Sequence, residues 1–176
     1  MDNNLCIYKC FFHEQKYIQL GFRKRYLLAL MYIFSDKNDH VVLLQKDLSK
    51  LMNKSKQNIN SAIKELATEG FVEVKRNKYI KVNRPANRES IPMSKELVDG
   101  KYQYLSKGAK FFYIYFSHLQ KKENEEYILM KGVDIIKIMG VDIKVMQKYY
   151  NELEEVGLLK KGKQGVSNTF DFKKIT

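Results

Sequence analysis

Two stretches of the chain each gather amide and ammonium side chains on one helical face. In the first, Lys56, Gln57, Asn60, Ser61 and Lys64 lie opposite the apolar series Ile59, Ala62, Ile63 and Leu66. That apolar spacing is the buried stripe of a helix, so the polar set faces outward. In the second, Lys144, Gln147, Lys148 and Asn151 lie opposite Met146, Tyr149, Tyr150 and Leu153. A side-chain amide offers a donor and an acceptor side by side, which matches the edge of adenine; an ammonium reaches guanine or phosphate. The chemistry implied is the reading of a duplex by hydrogen bonds. Acidic residues gather late in both helices, at Glu65, Glu69, Glu152, Glu154 and Glu155. The early turns are therefore the expected reading end. A Lys/Gln/Asn face is also what a plain solvated helix shows. Its recurrence at one register, each time before a basic hairpin, favours DNA contact.

The elements that must carry these faces form a repeated unit. Residues 40–72 set against residues 127–159, at a constant shift of 87, bring Asp47, Lys50, Met52, Glu65, Leu66 and Gly70 onto Asp134, Lys137, Met139, Glu152, Leu153 and Gly157. Ser55 falls on Asp142, and both are good helix N-caps. The unit opens with an apolar helix, Arg25–Ser35 in one copy and Ser106–Gln120 in the other. A short strand follows (Val41–Leu44, Tyr127–Met130), then a short helix (Gln45–Met52, Val133–Met139). A tight turn leads to the third helix, Lys56–Thr68 and Ile143–Glu155, closed by Gly70 and Gly157. A hairpin ends each unit. The first pairs Phe71–Lys75 with Tyr79–Asn83 through Arg76, Asn77 and Lys78. The second pairs Leu158–Lys161 with Thr169–Phe172 through a glycine-containing loop that holds Lys163 and Gln164. Helix, strand, helix, turn, helix, basic hairpin is the order of a winged helix-turn-helix. The wing residues Arg76, Asn77, Lys78, Lys161, Lys163 and Gln164 are expected at phosphates or in the minor groove.

Composition narrows the partner. The 176 residues carry a formal charge of +12, and residues 1–83 and 84–176 are both basic. A polyanion is the implied partner. At 44% hydrophobic the chain has enough apolar residues for a packed core, which excludes a disordered basic tail. The longest apolar runs, Tyr26–Phe34 and Phe111–Phe116, are too short to span a membrane, and no signal segment is visible. The expected location is cytoplasmic, with no membrane contact. Two cysteines exclude a disulfide scaffold. Cys6, Cys10 and His13 lack the further ligand that would complete a zinc set. His118, inside an apolar helix, reads as a core residue. No triad, paired carboxylate site or Walker loop is present, so neither an enzyme nor a cofactor is expected. The basic run Arg23-Lys24-Arg25 opens a helix where cations are unfavourable; an external anion and plain solvation explain it equally well. Cys6–Phe12 reads as an N-terminal strand packed on the core. The aromatic run Phe111–Phe116 reads as core rather than as a stacking platform.

The second half resembles a known family more specifically. Ile91-Pro92, Leu97, Lys101-Tyr102, Leu105-Ser106, Ala109-Lys110 and Tyr113 look like the opening of the winged-helix domain of the replication initiator A family of low-GC Gram-positive plasmids. Tyr149, Leu153-Glu154, Gly157-Leu158-Leu159, Lys163-Gln164-Gly165 and Asn168 resemble its third helix and wing. The resemblance implies binding to repeated sites in a plasmid origin, with Lys144, Gln147, Lys148 and Asn151 at the recognition positions. In that family the domain comes first and a helicase-loading region follows. Here the resembling stretch comes second, so the resemblance carries over DNA binding and not recruitment of the replication machinery.

The expected fold is α+β and mainly helical: two tandem winged-helix domains with small antiparallel hairpin wings. The expected domains are 1–83, with its N-terminal strand, and 106–176. Residues 84–105, which hold both prolines, are the expected linker. The expected function is site-specific binding of double-stranded DNA by a protein of a plasmid or other mobile element, at a replication origin or control region. Transcriptional regulation and an accessory role in conjugative transfer fit the same features. A winged-helix protein-interaction module is the rival class. One chain should act as a monomeric pseudo-dimer, with self-association arising on DNA.

Overall fold

Local signals set the main helix ends. Ser55 accepts a hydrogen bond from the Asn58 amide at 3.2 Å, Ser106 from Ala109 at 3.2 Å, and Asp142 from Val145 at 2.9 Å. Each satisfies a first-turn donor that has no partner within its helix. At the far ends, the Phe71 amide reaches the Leu66 carbonyl and the Leu158 amide reaches Leu153, both at 2.9 Å. Gly70 and Gly157 make this bond possible by taking φ of +78° and +72°.

The computed structural model describes residues 5–75 and 79–175. The chain is α+β, with nine helices and seven short strands among the described residues. The first half runs β1 (Leu5–Tyr8), α1 (Cys10–His13), α2 (Gln15–Ile18), α3 (Gly21–Ile33), α4 (Gln45–Met52), α5 (Lys56–Thr68), β2 (Val72–Lys75) and β3 (Tyr79–Val82). Next come β4 (Ser90–Met93) and α6 (Glu96–Asp99). The second half runs α7 (Lys107–Glu123), β5 (Ile128–Met130), α8 (Gly132–Met139), α9 (Ile143–Glu155), β6 (Leu159–Gln164) and β7 (Ser167–Phe172). All pairing is antiparallel. β1 pairs with β4, with Leu5 opposite Met93; β2 pairs with β3, with Val72 opposite Val82. The third sheet has the order β5-β7-β6.

The structure departs from the sequence reading at several places. Residues 84–105 are not an irregular linker, because they contain β4 and α6. Ile91 and Met93 point inward while Ser90 and Pro92 point outward, the alternation of a half-buried strand. Pro92 is tolerated there because, among the described residues, β4 pairs with β1 alone. The expected strand at Val41–Leu44 is reduced to isolated bridges, Ser35 with Val41 and His40 with Lys81. The Val41 amide goes to Ile80 and the Val42 amide to Phe34, so no continuous ladder forms. Cys6–Phe12 is only partly strand, since Cys10–His13 is a helical turn. α3 begins at Gly21, one turn before the expected Arg25. The second hairpin is longer than expected: Gln164 pairs with Ser167 across a two-residue turn, Gly165-Val166, and Lys163 and Gln164 lie in β6. Positive φ at the first of the two turn residues, Gly165, is the type II′ pattern.

The core centres on α3 packed against α7. Phe111 of α7 meets Phe11, Phe12, Phe22 and Tyr26, with ring centroids 5.4 to 6.2 Å apart. Gly108 lets α9 close on α7: a β-carbon there would lie 2.0 Å from the Tyr149 ring. Two cations are buried at this seam. Arg25 is 1% exposed and Lys110 0%. Arg25 donates to the Ile18 carbonyl at 2.5 Å and lies over the Phe22 ring at 4.7 Å. Its Nε and Nη1 have no hydrogen-bond partner among the described residues. Lys110 donates to the Gln103 carbonyl at 2.7 Å and sits 5.0 Å from the centre of the Tyr26 ring. Burial, with a smaller contribution from Lys107, lowers the Lys110 ammonium from 10.5 to about 7.

This shift has a defined sign. The folded chain releases the Lys110 proton near pH 7, whereas the unfolded chain holds it to about 10.5. Between these values the unfolded state binds more protons, so stability rises with pH, by up to about 1.4 kcal/mol per unit. Lys110→Met is expected to flatten that rise in urea denaturation between pH 6.5 and 9. An unchanged slope in the variant would show that Lys110 is charged in the folded state throughout this range.

Candidate nucleic-acid interface

The periodicity that buries Met146, Tyr149, Tyr150 and Leu153 leaves Lys144, Gln147, Lys148 and Asn151 exposed on α9. Two of these are tied to each other and to the hairpin. Gln147 Nε2 donates to Asn151 Oδ1 at 2.8 Å. Lys161 Nζ, on β6, donates to Gln147 Oε1 at 3.3 Å. Lys161 is itself held: its Nζ lies 4.7 Å from the centre of the buried Tyr150 ring, and its backbone amide donates to Glu154 Oε1 at 3.2 Å. Helix and hairpin thus share one polar row. An amide has two N–H groups and two acceptor lone pairs. Gln147 therefore keeps one N–H and one lone pair facing solvent, oriented before any ligand arrives. Further out on β6, Lys163 and Gln164 are exposed, and the Tyr127 hydroxyl donates to Gln164 Oε1 at 3.3 Å. Val166 at the tip is 93% exposed.

The corresponding face of α5 is built less openly. Lys56, Gln57 and Lys64 are exposed. Ser61 is exposed too, but its hydroxyl donates to Glu65 at 3.2 Å. Asn60 departs from the expectation of an exposed reader: it is half-buried, and its Oδ1 is buried without a hydrogen-bond partner among the described residues. It sits one residue after Ile59 and two before Ala62, close enough to the stripe for its short side chain to be partly covered. Arg76, Asn77 and Lys78 lie outside the described residues.

The basic run at the start of α3 finds its anions within the chain. Lys24 Nζ lies 2.6 Å from Glu69 and 3.4 Å from Glu65, and Arg23 lies 3.9 Å from Glu65. The hydrogen bond to Glu69 contributes most to holding the Lys24 ammonium above its ordinary range. Arg25 is the buried cation of the seam. The late-helix acids of α5 thus clamp the first helix of their own half. Lys107 differs: it is half-buried at the start of α7, and burial, then the nearby Lys54, lower its affinity for a proton. Lys54 lies in the turn before α5, so this pair carries positive charge across the two halves.

One exposed residue of this face was passed over by the sequence reading. Ile143 opens α9 and is 54% exposed. It continues the apolar series three residues before Met146 and seven before Tyr150, so it reads as packing in the sequence; at the first turn of the helix it is left half uncovered. His118 is half-buried rather than fully in the core; burial, then Lys9 and Lys122, push its proton affinity down. Residues Phe111–Phe116 are all buried. No helix among the described residues is long and apolar enough to cross a membrane. Neither a family model, nor a curated protein, nor a solved structure matches this chain.

The α5–α3 clamp sets a stability expectation. Its carboxylates are partly exposed, and such ion pairs contribute little. Glu65→Gln should cost less than about 1 kcal/mol in a urea titration. A larger loss would mean that Glu65 anchors the helix pair rather than decorating it.

Proposed function

We propose that the chain is a site-specific double-stranded DNA-binding protein made of two tandem winged-helix units. α5 and α9 are the recognition helices, and β2–β3 and β6–β7 are the wings. The observation that carries this reading is the oriented amide of Gln147. Held between Lys161 and Asn151, it presents one donor and one acceptor outward. Adenine offers the matching pair in the major groove, N7 to accept and N6 to donate. Orienting that amide in advance lowers the ordering cost of binding. Lys144 and Lys148 flank it and supply phosphate or guanine contacts. Lys163 extends the positive surface along the hairpin.

Three features support the tandem arrangement. The series α3, α4, α5, β2–β3 and the series α7, α8, α9, β6–β7 each run three helices and a hairpin, the second with β5 after its first helix. α5 and α9 are each 13 residues long. Their closing bonds, Phe71 to Leu66 and Leu158 to Leu153, fall at one register. A single chain would then offer two reading heads without dimerising, for half-sites about one helical turn apart or a multiple of that. The faces differ in residue type, so the site need not be a palindrome. With the resemblance of residues 91–172 to the replication initiator A winged helix, the reading extends to an origin or control region of a mobile element. A footprint on the DNA of that element separates origin repeat, promoter and transfer origin.

The test is a pair of binding titrations. The double variant Gln147→Ala, Lys148→Ala should bring affinity for the selected site closer to that for random duplex. Lys163→Ala should weaken both equally and reduce the salt slope by about one unit. Equal binding of site and random duplex, before and after the double change, would sink the assignment and favour a protein-docking module.

A further inference from the structure

We propose that Ile143 reads the 5-methyl group of a thymine within two base pairs of the position contacted by Gln147, so that the half-site of α9 contains two A·T pairs no more than two steps apart. The inference rests on the DNA-binding reading above and adds the base composition of one half-site. Ile143, Gln147 and Asn151 are spaced four residues apart, which aligns them along one face of α9. The last two are already joined by a hydrogen bond. Ile143 heads this row at the N-terminal end, where recognition helices meet base edges.

The side chain is poorly covered by the protein itself. Ile143 is 54% exposed, and the Gly132 backbone lies beneath its terminal carbon: a β-carbon at Gly132 would be 3.8 Å from Cδ1. The isoleucine thus leans over the start of α8 with its outer surface in water. Its neighbours at i+4 and i+8 are polar while those at i+3 and i+7 are the buried Met146 and Tyr150, so Ile143 extends the apolar stripe to the edge of the exposed amide row. In the major groove the one apolar feature on a base edge is the thymine methyl, and apolar side chains pack on it. Four residues of helix rise span about 6 Å, which is at most about two 3.4 Å base steps. The thymine is therefore placed within about two base pairs of the adenine read by Gln147.

The same position in the first half, 87 residues earlier, is Lys56. There the row begins with a cation, and its amide Asn60 is half-buried. Methyl reading is thus confined to the second half, which gives the two heads different base preferences.

The experiment uses the full chain and a duplex selected from a random pool. Each thymine of the enriched site is replaced in turn by deoxyuridine, which removes only the methyl. At one thymine, within two base pairs of the position whose preference is lost in Gln147→Ala, the replacement should weaken binding about fourfold. Ile143→Ala should bind the thymine and deoxyuridine duplexes equally while keeping the wild-type salt slope. The inference is overturned if the wild type is indifferent to deoxyuridine at every position of an enriched site. It is also overturned if Ile143→Ala still senses the methyl. A lower mass of free Ile143→Ala in sedimentation, with base preference intact, would overturn the inference and reassign Ile143 to protein contact. A pool that yields no enriched sequence would instead defeat the DNA-binding reading itself.

Discussion

The structure depends on one helix contact, α3 against α7, made where burial is complete and charge is poorly compensated. Phe111 fills the contact with aromatic neighbours from α1 and α3. Arg25 and Lys110 are buried beside it, bonded to backbone carbonyls and faced by aromatic rings, with no carboxylate among the described residues paired to either. Burying such groups costs free energy that the surrounding apolar packing must offset. Tyr149 carries the consequence outward. It packs edge-on to Phe22 of α3 at 5.6 Å and closes over Gly108 of α7. The helix that presents Gln147 is therefore packed on both α3 and α7.

The charge of the chain is sorted by the same architecture. Several acids are spent internally: Glu65 and Glu69 on Lys24, Asp39 on Arg84, Glu89 on Lys9. Arg84 also donates to Tyr8 and Ser35, which ties β1 and the segment after α3 to the end of the first hairpin. Lysines on α9 and β6 are left facing solvent. These four acids thus serve to hold elements together.

The third helices were legible to the residue, Lys56–Thr68 and Ile143–Glu155, because an N-cap, a 3.6-residue stripe and a closing glycine are all local signals. The helices before them were nearly so. What escaped the sequence depends on partners distant in the chain. β4 is a strand because β1 lies beside it, and no periodicity within 84–105 announces that neighbour. Val41–Leu44 has strand-forming residues but only fragmentary pairing. Arg25 and Lys110 look solvated in a linear reading, since nothing local says that two amphipathic helices will close over them. The exposed polar set of α9 was legible from its stripe; the bond from Lys161 to Gln147 was not, because it spans helix and hairpin.

The pairing of β1 with β4 also orders events in time. Leu5 meets Met93 and Tyr8 meets Ser90, so the first described strand waits for a partner more than eighty residues further on. A ribosome making this chain exposes α3, α4 and α5 before that partner exists. These helices can form early from local contacts, whereas the sheet that seals β1 over them requires closure of a long loop. During synthesis the first half is thus an open-edged intermediate, and completion of its fold is deferred until the segment leading into the second half has emerged.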